Sequence, residues 1–255
     1  MNIFSDTWYL FVRHIKVSLR TPIWLFINLV QPLLWLVLFS RVFEGVVNLP
    51  GFTSDSYLKF FAPGVVIMTV LFGSAWTGFR LIQDMDLGIL DKMLASPVSR
   101  VSIVLGRVFG AVAILVVQAL LIFFIAWIMG VDIATGFPGV LLTVVVVVLL
   151  GVGFAGLSNG LAILMKNPDP LIALINFITL PIFFLSSAMM PGELLPGWIQ
   201  TAKTFNPVSH AVESVRSLVI VGYQWDVILP DLLILAGVAV FMMAWATSMF
   251  RFRTA

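Results

Sequence analysis

The chain alternates long uncharged stretches with short charged segments. Six stretches contain no Asp, Glu, Lys or Arg, at residues 21–40, 60–79, 108–131, 133–165, 170–192 and 232–250. Each is near or beyond the roughly 20 residues that a helix needs to cross about 30 Å of hydrocarbon. Because backbone in lipid must pair within itself and these stretches exceed the length of barrel strands, the pattern predicts an all-α membrane protein with six transmembrane helices.

Composition supports a single membrane domain over residues 1–255. The sequence is 61% hydrophobic and 10% charged, with a mean hydropathy of +1.11, so little chain remains for a soluble domain. The lack of Cys excludes disulfides and thiolate metal sites but leaves the compartment open. We place the predicted spans at 21–42, 60–79, 103–131, 139–165, 170–190 and 231–250.

Basic residues predict the orientation of the chain. With six spans, ten of the 14 Lys and Arg residues lie on the side that holds both termini, and four lie on the opposite side. The positive-inside rule then places both termini in the cytoplasm of a multi-pass protein of the cell membrane. The net charge of +2 resides in short loops, where it sets topology, so no nucleic-acid partner is expected.

Residues 1–20 are predicted to form an interface helix. Apolar residues recur there at helical spacing, at Phe4, Trp8, Phe11, Val12, Ile15 and Leu19. Arg13, Lys16 and Arg20 occupy the other side, which suits a helix that lies on the cytoplasmic face of the membrane with its cations toward anionic headgroups. In that position His14 is expected to be solvated.

Two connections, 80–107 and 193–231, are long for simple turns, and loops of this length are often functional. Within the first, residues 83–97 show helical periodicity up to Pro97, since the residue before a proline disfavours helix. The pattern predicts a short amphipathic helix. Such a helix either transmits movement from a cytosolic partner or packs on its own bundle.

The residues of both connections resemble a known family. The segment Asp86-Leu-Gly-Ile-Leu-Asp-Lys-Met-Leu-Ala-Ser-Pro-Val-Ser-Arg100, followed by Val104-Leu-Gly-Arg107, is similar to a signature of the ABC type-2 permease family. Pro191-x-x-x-Leu-Pro-Gly-Trp-Ile199 and Asn206-Pro-Val-Ser-His-Ala-Val-Glu-Ser-Val-Arg-Ser-Leu218 resemble the same family, especially its daunorubicin-resistance exporter branch. Asp86 stands where members commonly have Glu, which is a conservative change.

The resemblance implies a complex in which two permease subunits, identical or related, pair with two separate ABC ATP-binding subunits. Residues 83–97 would then form a coupling helix docked on the ATPase, with its leucines in an apolar groove of that partner. The resemblance places these residues at or beside the docking surface: Asp84, Asp86, Gly88, Leu90, Asp91, Leu94, Pro97 and Arg100. ATP and Mg²⁺ would bind the partner, because no lysine of this chain follows a glycine as a P-loop requires. We therefore expect a transport subunit with no catalytic residue, metal or cofactor of its own.

Polar and aromatic residues line one face of three predicted spans. They are Trp24, Asn28, Gln31 and Trp35 in the first, Thr69, Phe72 and Trp76 in the second, and Asn176, Thr179, Phe183, Ser186 and Met190 in the fifth. Amides in hydrocarbon are costly unless paired or wetted, so these faces point inward or to a subunit interface. The simpler interpretation is helix packing. The resemblance instead implies that these spans line the export route of an amphipathic or hydrophobic, drug-like or lipid-like substrate.

By the same resemblance, residues 191–222 form short external re-entrant helices that close the exit. The gate candidates are Pro191, Asn206, Pro207, His210, Glu213 and Arg216. Asn206 followed by Pro207 also predicts a helix start, with the asparagine as N-cap. Plain capping and packing explain the same residues, and His210 is expected to be a hydrogen-bonding helix residue.

The sequence also bears on three other functions. Gly156-Leu-Ser-Asn-Gly160 matches the G-x-S-x-G motif of serine hydrolases, but the predicted threading places Ser158 and His210 on opposite sides of the membrane. An ion-coupled secondary transporter usually has carboxylates or broken helices near the midplane, whereas every acid here lies outside the uncharged stretches. An ion site made of backbone carbonyls would need no such residues, so the ion-coupled alternative stays open. Export of a lipid or a polysaccharide by a related ABC permease stays open as well.

Overall fold

The computed structural model describes residues 3–20, 22–48, 52 and 54–253. This part of the chain is helical and contains no β-strand, which confirms the predicted all-α class. The α-helices are α1 (Ile3–Leu19), α2 (Pro22–Val42), α3 (Tyr57–Ala75), α4 (Thr77–Asp86), α5 (Ile89–Leu94), α6 (Arg100–Ile128), α7 (Gly136–Met165), α8 (Pro168–Phe184), α9 (Gly197–Lys203), α10 (Pro207–Arg216) and α11 (Trp225–Arg253). Short 3-10 turns cover Glu44–Asn48 and Gly192–Leu194, and a π-helical turn follows α10 at Ser217–Val221.

Four helical segments of the described chain are long and apolar enough to cross a membrane. They are Tyr57–Asp86, which joins α3 and α4, and Arg100–Ile128, Gly136–Met165 and Trp225–Arg251. Two shorter apolar helices cover Phe26–Val42 and Pro168–Phe184. Helices therefore occupy all six predicted places, while the count of six spans stays a prediction.

The two long connections lie at opposite ends of the bundle. At the end that holds α5, the Arg13 guanidinium lies 3.6 Å from Met93 Sδ, and the Ser102 hydroxyl donates to the Ile3 carbonyl at 3.2 Å. At the end that holds α10, the Ala134 N–H donates to the carbonyl of Val219 at 3.0 Å. Between these ends α3 is the central helix, because it packs against α2, α6, α7, α8 and α10.

Glycines bring α7 close to α11. A Cβ at Gly156 would lie 3.2 Å from the backbone of Met242, and one at Gly160 would overlap the ring of Trp245. Small residues at such spacing let two helix backbones approach in apolar surroundings. The glycines of the Gly156–Gly160 motif therefore serve helix packing.

A second glycine pair holds α1 against α6. A Cβ at Gly106 would lie 2.5 Å from Leu10 Cβ, and one at Gly110 would lie 2.7 Å from His14 Cβ. The expectation of a solvated His14 is wrong, because the imidazole is packed between the two helices. Burial, together with the charges of Arg107 and Arg80, lowers the pKa of His14 to about 4.

This environment predicts an acid-sensitive contribution to stability. In the unfolded chain His14 binds a proton near pH 6.5, whereas in the folded chain it stays neutral down to about pH 4. Stability from this residue is therefore complete above pH 6.5 and is lost as the pH falls toward 4. We expect wild-type protein to lose on the order of 2 kcal/mol more than His14→Leu over this interval.

Thermal and denaturant unfolding in detergent micelles, followed by circular dichroism from pH 7.5 to 4, measures the difference. Taking the difference between the two proteins removes the contributions of all other titrating groups, which both share. Parallel stability curves for wild type and His14→Leu would contradict the assignment.

Candidate coupling and transport site

The predicted helix 83–97 is divided by a sharp turn. Gly88 has a φ of +64°, a conformation that glycine adopts without steric cost, and its N–H donates to the Met85 carbonyl at 2.9 Å. The chain therefore leaves α4 at Asp86, turns over Leu87 and Gly88 and begins α5 at Ile89. The turn exposes Asp86 and Leu87, and the Leu87 side chain is 69% exposed.

The docking candidates divide into exposed and buried residues. Asp91 and Pro97 are exposed, like Asp86. Leu90 is only 3% exposed and belongs to a buried apolar cluster with residues of α4 and α6, and Leu94 packs against the same cluster. This packing corrects the predicted place of Leu90 on a partner surface, because the side chain fills the core of its own chain. Leu87 was not among the predicted docking residues, although it is the exposed leucine of the segment.

Two charged candidates make contacts inside the chain. The Arg107 guanidinium of α6 donates to the Asp84 carboxylate at the end of α4 as an ion pair. Arg107 is buried, so removing either partner would leave a poorly solvated charge. Arg100 donates to the Arg251 carbonyl at 3.2 Å and so attaches α6 to the end of α11. The first contact joins α6 to α4 and the second joins α6 to α11, at the end of the bundle that carries α5.

Part of the predicted substrate path meets between α3 and α8. The rings of Phe72 and Phe183 lie 5.8 Å apart. Beside them a small cavity of about 10 Å³ is lined by Trp76, Phe79 and Asn176, together with apolar residues of both helices. An amide and two aromatic rings thus face one another at the junction of α3, α4 and α8.

The hydroxyl groups of the predicted path are already used. Thr69 donates to the Val65 carbonyl at 2.8 Å, and Thr179 donates to the Ile175 carbonyl at the same distance. Ser186 donates to the carbonyl of Phe183, at the end of α8. These three residues pair with their own helices, which fits the helix-packing interpretation better than a role in binding.

The amides of α2 lie apart from this cavity. Leu29, Pro32 and Leu36 are buried, whereas Asn28 and Gln31 lie on the exposed side of the helix. Trp35 is half-buried and stacks on Phe39 with ring centroids 4.7 Å apart, while the side chain of Trp24 lies outside the described residues. Exposed amides on an apolar helix are costly in lipid without a polar partner. The face is therefore suited to an interface between subunits.

At the opposite end, the chain after α8 is irregular and its carbonyls are capped by other helices. The Asn206 amide donates to the Ile182 carbonyl at 2.6 Å, and the Tyr57 hydroxyl donates to the Met189 carbonyl at 2.9 Å. Arg216 donates to the Ser187 carbonyl at 2.8 Å. Irregular backbone in apolar surroundings persists only when protein groups satisfy it in this way.

Arg216 connects three elements at this end. Its guanidinium also lies 3.7 Å from the centroid of the Phe60 ring of α3 and donates to the Ala188 carbonyl at 3.3 Å. Gly64 leaves room for this segment, since a Cβ there would lie 2.5 Å from the Ala188 oxygen. Met190 is half-buried and Pro191 is buried in the same segment.

The gate candidates of α10 are held by polar pairs. His210 Nδ1 lies 2.6 Å from Asp231 Oδ1 and its Nε2 lies 3.0 Å from the Thr204 carbonyl, so His210 is confirmed as a hydrogen-bonding helix residue. Ser214 donates to the second Asp231 oxygen at 2.9 Å. Glu213 pairs with the Lys203 ammonium at 3.1 Å.

Two further features refine the predictions for this end. Asn206 Oδ1 accepts from the Val208 N–H at 2.9 Å, and Pro207 is the first residue of α10, which confirms the predicted N-cap. Asp231 lies inside α11, which begins at Trp225, although the sequence pattern placed every acid outside the uncharged stretches. The buried pairing with His210 explains how the helix accommodates it.

Comparison with known proteins gives consistent matches. Residues 5–220 match the model of the ABC-2 type transporter family. A relative from Cyanophora paradoxa that carries the name transport permease ycf38 is 30% identical over 217 residues, which cover 84% of this chain and 74% of the relative. The protein of that name from Porphyra purpurea is 33% identical, over 77% of this chain and 68% of the relative. The daunorubicin resistance ABC transporter permease protein DrrB1 of Streptomyces coeruleorubidus is 27% identical, over 81% and 72%.

The capping of the α8 end predicts a local effect of Arg216→Lys. A lysine keeps the charge but loses the planar fork that reaches two carbonyls while stacking on Phe60. We expect faster amide exchange in residues 185–190 and a loss of about 2 kcal/mol of stability, whereas Arg41→Lys, at an exposed ion pair with Glu44, changes neither. Hydrogen–deuterium exchange with mass spectrometry measures both. Unchanged exchange in 185–190 would contradict the capping role.

Proposed function

This chain belongs to the ABC-2 type transporter family, and from that membership we propose that it is the permease subunit of an ATP-driven exporter. Its helices would cross the cell membrane six times, because α2 and α8 would add two spans to the four long ones. Both termini would then lie in the cytoplasm. The observation that carries the proposal is the exposed turn between α4 and α5. It presents Asp86, Leu87 and Asp91 on a support fixed by Arg107.

The partners follow from this turn. An exposed leucine between two carboxylates is suited to a small apolar pocket with a basic rim on a soluble protein. We infer that two ABC ATP-binding subunits dock there and bind ATP and Mg²⁺. Leu90 and Leu94 would hold the turn against the apolar core of this chain. A second permease subunit, identical or related, would cover the Asn28 face of α2.

The route for substrate follows from the two polar faces. The cavity at Trp76, Phe79 and Asn176 has room for about one water molecule, so these rings and this amide offer a contact surface rather than a binding pocket, and the α2 face offers Asn28 and Gln31. Aromatic and amide groups suit an amphipathic or hydrophobic molecule, drug-like or lipid-like. The daunorubicin resistance permease of Streptomyces coeruleorubidus, to which this chain is similar, supports the drug-like class. A lipid or polysaccharide exporter would use the same parts with a different substrate.

One observation favours the ion-coupled alternative. Asp231 is a buried carboxylate within a candidate span, the type of residue that proton-coupled transporters use. Both of its oxygens are occupied, however, by His210 and Ser214 of α10, which makes it a structural attachment between α10 and α11. Export that collapses when ion gradients are dissipated with ATP intact would support the ion-coupled function instead.

The proposed docking surface predicts that a substitution at Leu87 weakens binding of the ATPase subunit. In Leu87→Asp, a third acid would replace the exposed apolar contact, and we expect copurification of a soluble ATP-binding protein to fall at least about tenfold. Val17→Asp is the matched control, because Val17 is 57% exposed at the same end of the bundle and lies among Arg13, Lys16 and Arg20.

Affinity purification from the native membrane in mild detergent, with mass spectrometry of the captured proteins, is the measurement. Size-exclusion profiles of both variants show whether they remain folded. Equal capture of the ATPase by wild type and Leu87→Asp would contradict this docking surface, and capture of no ATPase by wild type would contradict the proposed function.

The cavity predicts which residues affect transport. Removing the indole in Trp76→Ala, or the amide in Asn176→Leu, is expected to raise the substrate concentration for half-maximal export about fivefold, since an aromatic contact contributes about 1 kcal/mol and a lost polar contact a similar amount. Phe241→Ala removes an exposed aromatic ring of α11 and should leave transport unchanged. Export of a fluorescent amphipathic dye from proteoliposomes measures all three, and unchanged half-maximal concentrations in the first two would contradict this route.

A further inference from the structure

The helical ladder is interrupted between α3 and α4. α3 ends at Ala75 and α4 begins at Thr77, with Trp76 between them. The Ser158 hydroxyl of α7 sits in the break, where it donates to the Ala75 carbonyl and accepts from the Gly78 N–H at 2.9 Å. Insertion of a side chain into the ladder is a recognised cause of helix breaks.

Other side chains complete the pairing around Ser158. Thr77 donates to the Ser74 carbonyl at 2.7 Å and accepts from the Asn159 amide at 3.0 Å. Two consecutive residues of α7, Ser158 and Asn159, therefore hold the first turn of α4. Ser158 is fully buried and Asn159 nearly so, so water does not supply these bonds.

The contact between α4 and α7 is close at this point. A Cβ at Gly78 would overlap the carbonyl oxygen of Ser158, so only glycine fits. The backbones of α4 and α7 meet there without a side chain between them. Such a contact fixes the position of one end of α4 and leaves the direction of the helix to the bonds around the break.

The break joins the two parts of the proposed transport site. Toward the C-terminus, α4 leads through Gly88 to α5 and the exposed turn at Leu87. At the break itself, Trp76 and Phe79 line the cavity that Asn176 shares. A change in the angle of α4 at Trp76 therefore moves these rings relative to α8.

We propose that the break at Trp76 is the pivot through which movement of the docked α5 reaches the cavity, and that Ser158 is the positioning residue of this pivot. The role rests on the proposed function, since it requires an ATPase that moves α5. Ser158 provides a donor and an acceptor that rotate together, so α4 can tilt while the Ala75 carbonyl and the Gly78 N–H stay paired. The serine of the G-x-S-x-G motif thus serves coupling, while its two glycines serve helix packing.

Two measurements on the same variants test the pivot. The first uses the purified chain alone and follows hydrogen–deuterium exchange. Ser158→Ala should raise deuterium uptake in residues 76–83 at least about threefold and leave residues 57–73 unchanged, because only the bridging bonds are removed. Thr143→Val is the matched control, since Thr143 is buried in the same helix and donates only to Gly139 of α7 at 3.0 Å.

The second measurement uses the complete complex with its ATPase in proteoliposomes. We expect Ser158→Ala to retain ATP hydrolysis within about twofold while substrate exported per ATP falls about tenfold. Ser158→Cys keeps a side chain of similar size with a weaker donor and acceptor, so it should give an intermediate loss of substrate exported per ATP. This variant still tests the pivot if Ser158→Ala folds poorly. Thr143→Val should match wild type in both quantities.

The outcomes separate the two levels of the proposal. Raised exchange with unchanged export per ATP would overturn the pivot, and unchanged exchange in 76–83 would overturn the bridging role of Ser158. A loss of ATP hydrolysis equal to the loss of export would also overturn it, since that result indicates general damage. A wild-type complex without ATP-driven export overturns the proposed function and the pivot with it, while the exchange measurement still decides whether Ser158 bridges the break.

Discussion

The pairing of backbone polar groups inside an apolar bundle is the constraint on which this structure depends. In the described residues, helices of the bundle are interrupted between α3 and α4 at Trp76 and after α8 at Phe184. An unpaired carbonyl or N–H in such surroundings costs several kcal/mol, so each break persists only with donors and acceptors from other helices. Ser158 supplies them at the first break and Arg216 is the main donor at the second. Ser158 and Arg216 therefore lie where the helices are interrupted.

Close approach of backbones is the complementary requirement. A short serine side chain reaches the Ala75 carbonyl because Gly78 lets α4 rest on α7, and Arg216 reaches the α8 end because Gly64 admits that segment beside α3. The same principle, without a break, holds α1 on α6 through Gly106 and Gly110. In the first two cases a missing side chain on one helix sets the distance at which a polar side chain on another is able to act.

Sequence patterns predicted the class and the places of the helices, because charge-free stretches of span length have few structural solutions. They did not predict which face each helix buries. The amphipathic period of residues 1–20 predicted α1 correctly, but its packing on α6 depends on glycines more than 90 positions away. Leu90 and Leu87 are equally apolar, and only the turn at Gly88 decides that the first is buried and the second exposed.

Polar partners were the hardest part of the site to predict. In the sequence Asp84 is a charged residue of the kind that docking surfaces use. The structure shows that it pairs instead with Arg107, 23 positions along the chain. The sequence pattern places Asp231 at the boundary between the last connection and the last span, because the charge marks it there, whereas the helix begins six residues earlier and pairs the carboxylate with His210. Charge identifies where a span is improbable, but it does not identify where a buried pair makes a charge acceptable.

The position of α3 determines how the two breaks relate to each other. Its residues 60–71 are buried on all sides, and close-packed interiors do not deform continuously, so α3 moves as a rigid unit or not at all. At one end it meets the Ser158 bridge, and at the other Tyr57 and Phe60 contact the segment capped by Arg216. α3 therefore links the bridge at the first break to the carbonyls of the second along one helix. The two ends of this bundle are mechanically connected through its most buried element.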